Sequence, residues 1–333
     1  MKKVLITGGT GFVGANLAER LVNRGCGVRI LRRAHSDLRA IAGIDVEHRV
    51  GDVRDVASLK NAIQGCDTVF HTAALVTFEK SKAELQYEVN VIGTRNVVGA
   101  CLECNVEKLV HTSSIAAIGY PLNTNPSLPQ NLANEKTPFN WEVTWGYKFT
   151  KHKAEAEVLA GVDSGLNAVI VNPSVIIGER DIHFHGGDLI RRVKKWHVPF
   201  YIEGGMNIVY VGDVVSGHIS AAERGRTGER YILGGHNLTH KDAFTLTAQT
   251  VGGLAPLCKL PLPLLRAGAT LVEAASKAIG IEPIITGALA AGAGKYNWFS
   301  IEKAQRELAL ATTPFEEIIK RAYYWYKENN LLA

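Results

Sequence analysis

Short apolar runs alternate with helical patterns through the first half of the chain. The runs predict β-strands at Val4–Ile6, Val28–Leu31, Val46–Val50, Thr68–Phe70, Leu109–Thr112 and Ala168–Val171. Between the first two strands, Val13, Leu17 and Leu21 recur every four residues, as on one face of an amphipathic helix, and Gly25 ends that helix. Strands that alternate with helices are typical of βαβ units around a parallel sheet. The pattern therefore predicts an α/β fold built on a doubly wound parallel sheet.

The regular alternation ends after Pro173, although Ile208–Val211 and Tyr231–Leu233 still have the composition of strands. A stretch rich in proline and asparagine, from Pro121 to Asn140, interrupts the pattern earlier and predicts a long loop. We therefore predict two parts. Residues 1–172, with a returning segment at 206–235, form the doubly wound sheet. Residues 173–205 and 236–333 form a smaller, mixed α/β C-terminal region.

Composition and charge exclude several classes of protein. Hydrophobic residues make up 46% of the 333 residues and charged residues 21%, which is ordinary for a soluble globular protein. The 37 basic and 32 acidic residues give a net charge of +5 without a long basic run, so we expect no nucleic-acid partner. Cys101 and Cys104 form a CxxC motif, but a zinc site needs further ligands at matching spacing, so we expect no metal.

The most apolar late stretch, Leu262–Ala293, is interrupted by charged residues such as Arg266, Glu273 and Lys277. It therefore lacks the roughly 20 apolar residues that a membrane-spanning helix needs, and we expect no membrane partner. No secretory leader pattern precedes the first strand, and the five cysteines are an odd number. Both observations favour a reducing compartment, so we expect a cytoplasmic protein.

A glycine-rich segment, Thr7–Gly14, lies between the first strand and the first helix. It contains GxGxxG at Gly9, Gly11 and Gly14. Glycines in this context permit a tight turn and a close approach of the backbone to a pyrophosphate at the helix N-terminus. The segment therefore predicts a Rossmann-type domain that binds a dinucleotide over residues 1–172 and 206–235, with the remaining residues binding the substrate.

The end of the second strand distinguishes between two cofactors. An acidic residue there binds the adenosine ribose hydroxyl, whereas an arginine accommodates a 2'-phosphate. This chain has Arg32 and Arg33 at that position. We therefore predict NADP(H) as the preferred cofactor. NAD(H) stays open, because Asp37 lies further along the same loop.

Tyr147 and Lys151 stand four residues apart, so they share one face of a helix. A neighbouring ammonium is expected to lower the pKa of the phenol and to make it a usable proton donor. Tyr323 and Lys327 have the same spacing, but they lie in an aromatic segment whose expected role is packing. Ser113 and Ser114 follow the fifth strand, where a hydroxyl can hydrogen-bond a substrate oxygen.

Together these motifs resemble those of extended short-chain dehydrogenases/reductases of the NAD-dependent epimerase/dehydratase superfamily. Within it, the chain is most similar to the dihydroflavonol 4-reductase-like group, which includes hopanoid-associated sugar epimerase-like proteins. The motifs that carry the resemblance are Thr7–Gly14, Gly51–Val53, His71–Ala74, Asn90, Gly93–Asn96, Thr112–Ser114, Tyr147–Lys151, Val171–Ser174, Tyr231–Gly235 and Ser300–Leu308.

The resemblance implies a role for each site residue. Tyr147 would be the catalytic acid/base, Lys151 would hold the nicotinamide ribose, and Ser114 would orient a carbonyl group. The cofactor-binding residues expected from the resemblance and the motifs are Gly8, Thr10, Gly11, Phe12, Val13, Arg32, Arg33, Asp52, Val53, Thr72, Ala73, Ala74, Asn90, Thr112, Tyr147, Lys151, Pro173, Ser174 and Val175.

The implied function is an NADPH-dependent oxidoreductase that reduces a ketone or aldehyde to the alcohol. Sugar dehydratases of the superfamily carry an Asp-Glu pair after the serine, where this chain has Ile115 and Ala116, so dehydration is not expected. Nucleotide-sugar epimerases place a phosphate-binding arginine where this chain has Met206. Arg180, or Arg191 with Arg192, keeps an epimerase open as an alternative. A dinucleotide-binding sensor without turnover is a second alternative.

Aromatic residues near the expected site favour a small, apolar substrate. They are Trp141, Trp145, Phe149, Trp196, Phe200 and Tyr201. His183 and His185 lie near the same segment and are candidates for substrate contact. Many relatives form homodimers through two helices that correspond to residues 85–102 and 147–159, so a homodimer is left open.

Overall fold

A computed structural model gives the structure of the protein and describes residues 1–121, 132–141, 146–196, 198–261, 263–265 and 294–332. Trp145, Gly287 and half of the loop predicted at 121–140, residues 122–131, lie outside these residues. The strands are β1 Lys3–Thr7, β2 Gly27–Arg32, β3 Glu47–Val50, β4 Thr68–His71, β5 Lys108–Thr112, β6 Ala168–Pro173, β7 Val175–Ile177, β8 Phe200–Tyr201, β9 Gly205–Tyr210, β10 Arg230–Leu233, β11 His236–Thr239 and β12 Cys258–Lys259. The α-helices are α1 Phe12–Asn23, α2 Val56–Ile63, α3 Ala83–Tyr87, α4 Gly93–Glu103, α5 Tyr147–Asp163, α6 Asp188–Trp196, α7 Val211–Arg224, α8 His240–Val251, α9 Glu302–Leu308 and α10 Phe315–Glu328.

Among the described residues, seven strands form one sheet in the order β3, β2, β1, β4, β5, β6, β10. All neighbours in this sheet are parallel. The predicted doubly wound α/β sheet is therefore confirmed, and each of its strands begins and ends within two residues of the predicted bounds. Because the strands are parallel, their carboxyl ends meet at one edge, where ligands bind in open α/β sheets.

Helices cover both faces of this sheet. On one face, Leu17 and Leu21 of α1 pack with Val214 of α7 and Leu308 of α9. On the other face, α2, α4 and α5 contribute Leu59, Val97 and Val158 to a second apolar cluster. The strands between these layers are apolar on both faces, as expected for a buried parallel sheet.

A smaller unit follows β6. It contains a three-stranded sheet in the order β11, β9, β7 and a two-stranded pair of β12 with β8. α6, α8 and α10 pack against it around a third apolar cluster. The segment predicted to return, 206–235, divides between the two units: β9 pairs in the smaller sheet, whereas β10 joins the seven-stranded sheet. The division into a cofactor domain and a substrate domain stays a prediction.

Among the described residues, no helix is both long and apolar enough to cross a membrane.

Candidate active site

The glycine-rich turn brings two backbone segments into close contact. Gly8 has a φ of +70°, and a Cβ atom there would lie 2.7 Å from the Cα atom of Ala73. A Cβ atom at Gly14 would lie 2.3 Å from the carbonyl oxygen of Gly8. α1 begins directly after Gly11, and no side chain caps its N-terminal amides. Those amides remain available to an anion, so the turn fits the pyrophosphate of a dinucleotide.

A cavity of about 310 Å³ lies beside this turn, at the carboxyl ends of β1, β2 and β4. It is called the cradle below. The predicted cofactor-binding residues that line it are Gly8, Thr10, Gly11, Arg32, Arg33, Asp52, Val53, Thr72, Ala73 and Ala74. Phe12 and Val13 do not line it and pack instead on the apolar core under α1. Sequence reasoning missed Ser36, Arg54 and Leu85, which line it from three separate segments.

The charged residues of the cradle have distinct partners. The Arg32 guanidinium donates to Nδ1 of His48 at 3.0 Å. The Asp52 carboxylate accepts two hydrogen bonds from Arg54, at 3.0 and 2.9 Å, and this contact lowers the pKa of Asp52. Asp37 does not line the cradle. Arg39 binds its carboxylate through both oxygens and lowers the pKa of Asp37 to about 2.

The three predicted catalytic side chains come from two elements. Tyr147 is the first residue of α5, and Lys151 lies one turn later, where its Nζ donates to the carbonyl oxygen of Thr112 at 2.8 Å. Ser114 follows β5 and begins a short 3₁₀ turn, in which its Oγ accepts a hydrogen bond from the amide of Ala116 at 3.2 Å. A hydrogen bond also joins the Ser114 and Tyr147 side chains. The structure therefore brings Ser114 and Tyr147 into direct contact.

The expectation that Lys151 lowers the pKa of Tyr147 is wrong for this structure. Burial raises the pKa of Tyr147, and only the hydrogen bond with Ser114 lowers it. Lys151 itself is buried, and its pKa is lowered to about 8 because burial disfavours its charge. Desolvation thus dominates both groups. The Tyr147 hydroxyl keeps its proton at neutral pH and can act as a proton donor.

A buried carboxylate, which sequence reasoning missed, connects the ends of β5 and β6. Glu155 lies one turn beyond Lys151 and accepts hydrogen bonds from Ser113 Oγ and from Asn172 Nδ2, each at 2.6 Å. Arg230 pairs with its other oxygen at 3.2 Å. Asn172 Nδ2 also donates to the carbonyl oxygen of Ser114 at 2.9 Å. The acidic residue four positions after Lys151 was the signal for this contact.

Asn90 lies in a π-helical turn, Glu88–Ile92, and not against the cradle. Its side chain accepts from the amide of Leu75 at 2.7 Å and donates to Oγ1 of Thr150 at 3.1 Å. It therefore joins the loop after β4 to the helix that carries Tyr147. A π turn inside a helix is frequent at functional sites.

The remaining predicted cofactor residues lie at the ends of β5 and β6. Thr112 ends β5, and its Oγ1 hydrogen-bonds Nε2 of His218 at 2.9 Å. Pro173 ends β6, and the Oγ of Ser174 is buried without a hydrogen-bond partner. An unpaired buried hydroxyl at this edge is consistent with a ligand that supplies the missing partner. Val175 begins β7 and lines a second cavity.

This second cavity, called the apolar cavity below, has a volume of about 560 Å³. Most of its wall is apolar and includes Phe200, Tyr201, Met206 and Phe244. Its full lining is Val175, Ile177, His185, Gly186, Asp188, Leu189, Arg192, Val198, Pro199, Phe200, Tyr201, Ile202, Met206, Ile208, His240, Phe244, Leu260, Leu265 and Asn297. Sequence reasoning identified Phe200, Tyr201 and His185 but missed the residues from α8 and beyond.

Several other residues singled out in the sequence do not line the apolar cavity. The ring of Trp141 contacts that of Tyr120 at an interplanar angle of 54°, and Phe149 lies under the ammonium of Lys153. The side chain of Trp196 is outside the described residues. His183 lies near Asp37 and contributes to the lowered pKa of that carboxyl group.

Of the arginines considered as phosphate ligands, Arg180 binds Glu19 at 2.7 Å and the carbonyl oxygen of Ala40 at 2.6 Å. Arg191 and Arg192 both pair with Asp188 at 2.5 Å, and Arg192 also lines the apolar cavity. Among the residues that the structure describes, no three His, Cys, Asp or Glu side chains form a metal-binding cluster.

Comparison with known proteins gives a consistent result. A family model, the 3-beta hydroxysteroid dehydrogenase/isomerase family, matches residues 5–230. A protein of Synechocystis sp. named as a candidate dihydroflavonol 4-reductase is 33% identical over 330 residues, which cover 97% of this chain and 94% of that protein. The crystal structure of gox2253 has a TM-score of 0.86 and 38% identity, and the match covers 100% of both chains.

A second solved structure is PA4631, a nucleoside-diphosphate-sugar epimerase from Pseudomonas aeruginosa. Its TM-score is 0.81 at 25% identity, and the match covers 100% of this chain and 99% of that chain. Reductase and epimerase relatives thus share this architecture, as the motifs predict. The chain belongs to the 3-beta hydroxysteroid dehydrogenase/isomerase family, within the extended short-chain dehydrogenases/reductases.

Proposed function

We propose that the protein is an NADPH-dependent oxidoreductase that reduces a ketone or aldehyde of a small, apolar substrate. One observation carries this proposal. Ser114 and Tyr147 meet after the end of β5. In the sheet, β5 lies between β4 and β6. The end of β4 borders the cradle, and Val175, just after β6, borders the apolar cavity. A proton donor thus stands between a space suited to a dinucleotide and a space suited to an apolar ligand.

The residues divide the reaction as follows. When bound, a reduced nicotinamide dinucleotide supplies a hydride to the carbonyl carbon. As the new C–H bond forms, the carbonyl π electrons move to the oxygen, which takes the proton of the Tyr147 hydroxyl. Ser114, hydrogen-bonded to Tyr147, orients that oxygen. Lys151, one turn along the same helix, is held by its hydrogen bond to the carbonyl oxygen of Thr112, and its ammonium would bind the nicotinamide ribose.

The preference for NADP(H) is supported by the charges at the cradle. Arg32 and Arg33 line it, whereas the carboxylate of Asp37 is bound by Arg39 outside it. A 2'-phosphate would therefore meet arginine and no free carboxylate from this loop. NADPH is expected to raise the melting temperature more than NADH at equal concentration. An equal rise with both cofactors would contradict the preference.

An apolar substrate is supported over a nucleotide sugar by the wall of the apolar cavity. Met206 lines it at the position where epimerases place an arginine, and Arg180, the first alternative, is bound to Glu19. Methionine cannot give the paired hydrogen bonds that arginine gives to a diphosphate. The likeness to PA4631 favours an epimerase as the second candidate, with Arg192 as its phosphate ligand.

A panel assay separates the two candidates. NADPH oxidation, followed by absorbance, is measured with neutral aromatic and alicyclic ketones and aldehydes, beside an assay of UDP-sugar epimerisation. We expect consumption of NADPH with at least one apolar carbonyl compound and no epimerised sugar. Epimerisation without net loss of NADPH would favour the second candidate.

The proposal also includes a homodimer and a cytoplasmic location. We propose that α4 and α5, which expose Leu159 and carry the ion pair between Arg95 and Glu157, form a homodimer interface in a cytoplasmic enzyme. Sedimentation with and without a charge introduced at Leu159 tests the interface. A monomer in both samples would contradict it.

A further inference from the structure

Two lysines converge on one pair of aromatic rings beside the catalytic tyrosine. The rings of Tyr120 and Trp141 lie 4.6 Å apart between centroids. The ammonium of Lys148 lies 2.9 Å from the ring centroid of Trp141. The ammonium of Lys295 lies 4.8 Å from the ring centroid of Trp141 and 4.3 Å from that of Tyr120. This group of four residues is called the lysine pair site below.

The backbone fixes the aromatic half of this site. Trp141 Nε1 donates to the carbonyl oxygen of Ile118 at 2.9 Å. The Asn140 side chain both accepts from the amide of Tyr120, at 3.0 Å, and donates to its carbonyl oxygen, at 2.8 Å. Ile118 and Tyr120 follow Ser114 closely in the chain. The rings are therefore held next to the segment that places the catalytic serine.

The two lysines come from two separate parts of the chain. Lys148 directly follows Tyr147 in the first turn of α5. The carbonyl oxygen of Lys295 accepts a hydrogen bond from the amide of Gly205 at 3.1 Å, beside Met206 in the wall of the apolar cavity. The lysine pair site thus joins the first turn of α5, which begins with Tyr147, to a segment whose backbone pairs beside the cavity wall.

Three features of the site favour an anion. Among the described residues, neither Lys148 nor Lys295 forms an ion pair with a carboxylate. Burial and the charge of Lys295 lower the pKa of Lys148 to about 8, so the two ammonium groups repel each other. The helix α5 begins without a side-chain cap, and its partial positive charge lies at the same end. An anion would relieve the repulsion and find three attractive partners.

We propose that Lys148 and Lys295 bind a carboxylate of the substrate, so that the enzyme reduces an apolar oxo acid. This inference rests on the proposed function and names the substrate class. The two oxygens of a carboxylate can each accept a hydrogen bond from one ammonium. The ketone then extends toward Tyr147, while the apolar part of the substrate fills the apolar cavity. The phosphates of the cofactor would bind elsewhere, at the glycine turn Gly8–Gly14 of the cradle.

Binding of matched ligands tests the site. The probes are phenyl ketones with two, three or four methylene groups between the ketone and a terminal carboxylate, each compared with its primary amide. Dissociation constants are measured by calorimetry. At least one acid is expected to bind wild-type protein about tenfold more tightly than its amide, which corresponds to one charge-assisted contact.

Variants assign the preference to the two lysines. In Lys148→Met and in Lys295→Met the ratio of amide to acid dissociation constants is expected to fall, and in the double variant it should fall to about one, while amide binding is retained. Lys153→Met is the matched control, because its ammonium lies on Phe149 of the same helix and outside the site. It should keep the wild-type ratio. Lys148→Gln and Lys295→Gln replace any methionine variant that does not fold.

The outcomes separate this inference from the proposed function. The inference is wrong if no acid binds wild-type protein more tightly than its amide, or if the preference survives loss of both lysines. An aryl phosphate and its neutral analogue serve as a further pair of probes. The inference is also wrong if only the phosphate is preferred over its neutral analogue. Turnover of neutral ketones that depends on Tyr147 would leave the proposed function standing in each case. Conversely, lysine-dependent binding of acids without any NADPH turnover supports the site and contradicts the reductase.

Discussion

The cradle and the apolar cavity are built on opposite principles. The cradle is lined by residues 8–89, and at its glycine turn the backbones approach so closely that a Cβ atom does not fit. The apolar cavity is lined by residues 175–297, from segments far apart in the chain, and its walls are mostly apolar side chains. Backbone close packing tolerates little change, whereas an apolar wall can be repacked at moderate cost. The first region is thus suited to one ligand and the second to variation in substrate.

The largest effect on stability is expected at Glu155, which joins the ends of β5 and β6 between the two regions in the strand order. Glu155→Gln leaves Arg230 without its charge partner and weakens the contacts with Ser113 and Asn172. Glu155 is 5% exposed and Arg230 is 34% exposed, so the pair is half-buried, and weakening it together with the two hydrogen bonds should lower the free energy of unfolding in urea by about 3 kcal/mol.

Glu316→Gln on α10 is the control, because its ion pair lies outside the proposed homodimer interface. The Glu316 side chain is 67% exposed and its partner Lys320 is 47% exposed, so the loss should be well below that of Glu155→Gln. Equal losses in the two variants would show that the Glu155 network adds no more stability than an exposed ion pair.

The cradle should bind NADPH more weakly when its glycine turn gains a methyl group. In Gly14→Ala the new Cβ atom would meet the carbonyl oxygen of Gly8. Overpacking of this kind costs about 1 to 3 kcal/mol, so NADPH binding, measured by fluorescence titration, should weaken by about five- to 150-fold.

Gly99→Ala provides the control for this substitution, because a Cβ atom there would meet nothing within 4 Å and the residue lies inside α4. It should bind NADPH normally and gain up to about 1 kcal/mol of stability. Unchanged NADPH binding in Gly14→Ala would refute the close-packed account of the cradle.

The smallest effect is expected in the apolar cavity. Phe244→Ala removes part of its wall, and the loss of about 1 to 2 kcal/mol of apolar contact should raise the KM for an apolar ketone by about five- to thirtyfold. NADPH binding should stay the same. Leu246→Ala, on the exposed side of α8, should change neither quantity. A weaker affinity for NADPH in Phe244→Ala would mean that the two regions are not independent.

The same contrast explains what the sequence could predict. The strands and the glycine turn of the first region were predictable because each is encoded by a run of adjacent residues, such as Val4–Ile6 followed by Thr7–Gly14. The short strands of the second region, for example His236–Thr239, lack an apolar alternation and were missed. Phe244 could not be assigned to the cavity, because only tertiary packing brings α8 to it.

Among the catalytic residues, spacing predicted that Tyr147 and Lys151 share a helix face but not the state of their protons. The pKa of Tyr147 depends on desolvation, which is a property of the folded molecule. The hydrogen bonds of Ser113 with Glu155 and of Ser114 with Ala116 distinguish the two serines. The resemblance to the family assigned the role to Ser114 without showing why.

The most direct test of the central claim is the substitution Tyr147→Phe, which removes only the hydroxyl that donates the proton. With an apolar ketone and NADPH, kcat should fall by about 10²- to 10⁴-fold, the usual contribution of a general acid. The dissociation constant for NADPH should stay unchanged. Tyr323→Phe, in the other pair with the same spacing to a lysine, should retain full activity. A Tyr147→Phe enzyme that keeps wild-type turnover would contradict the account.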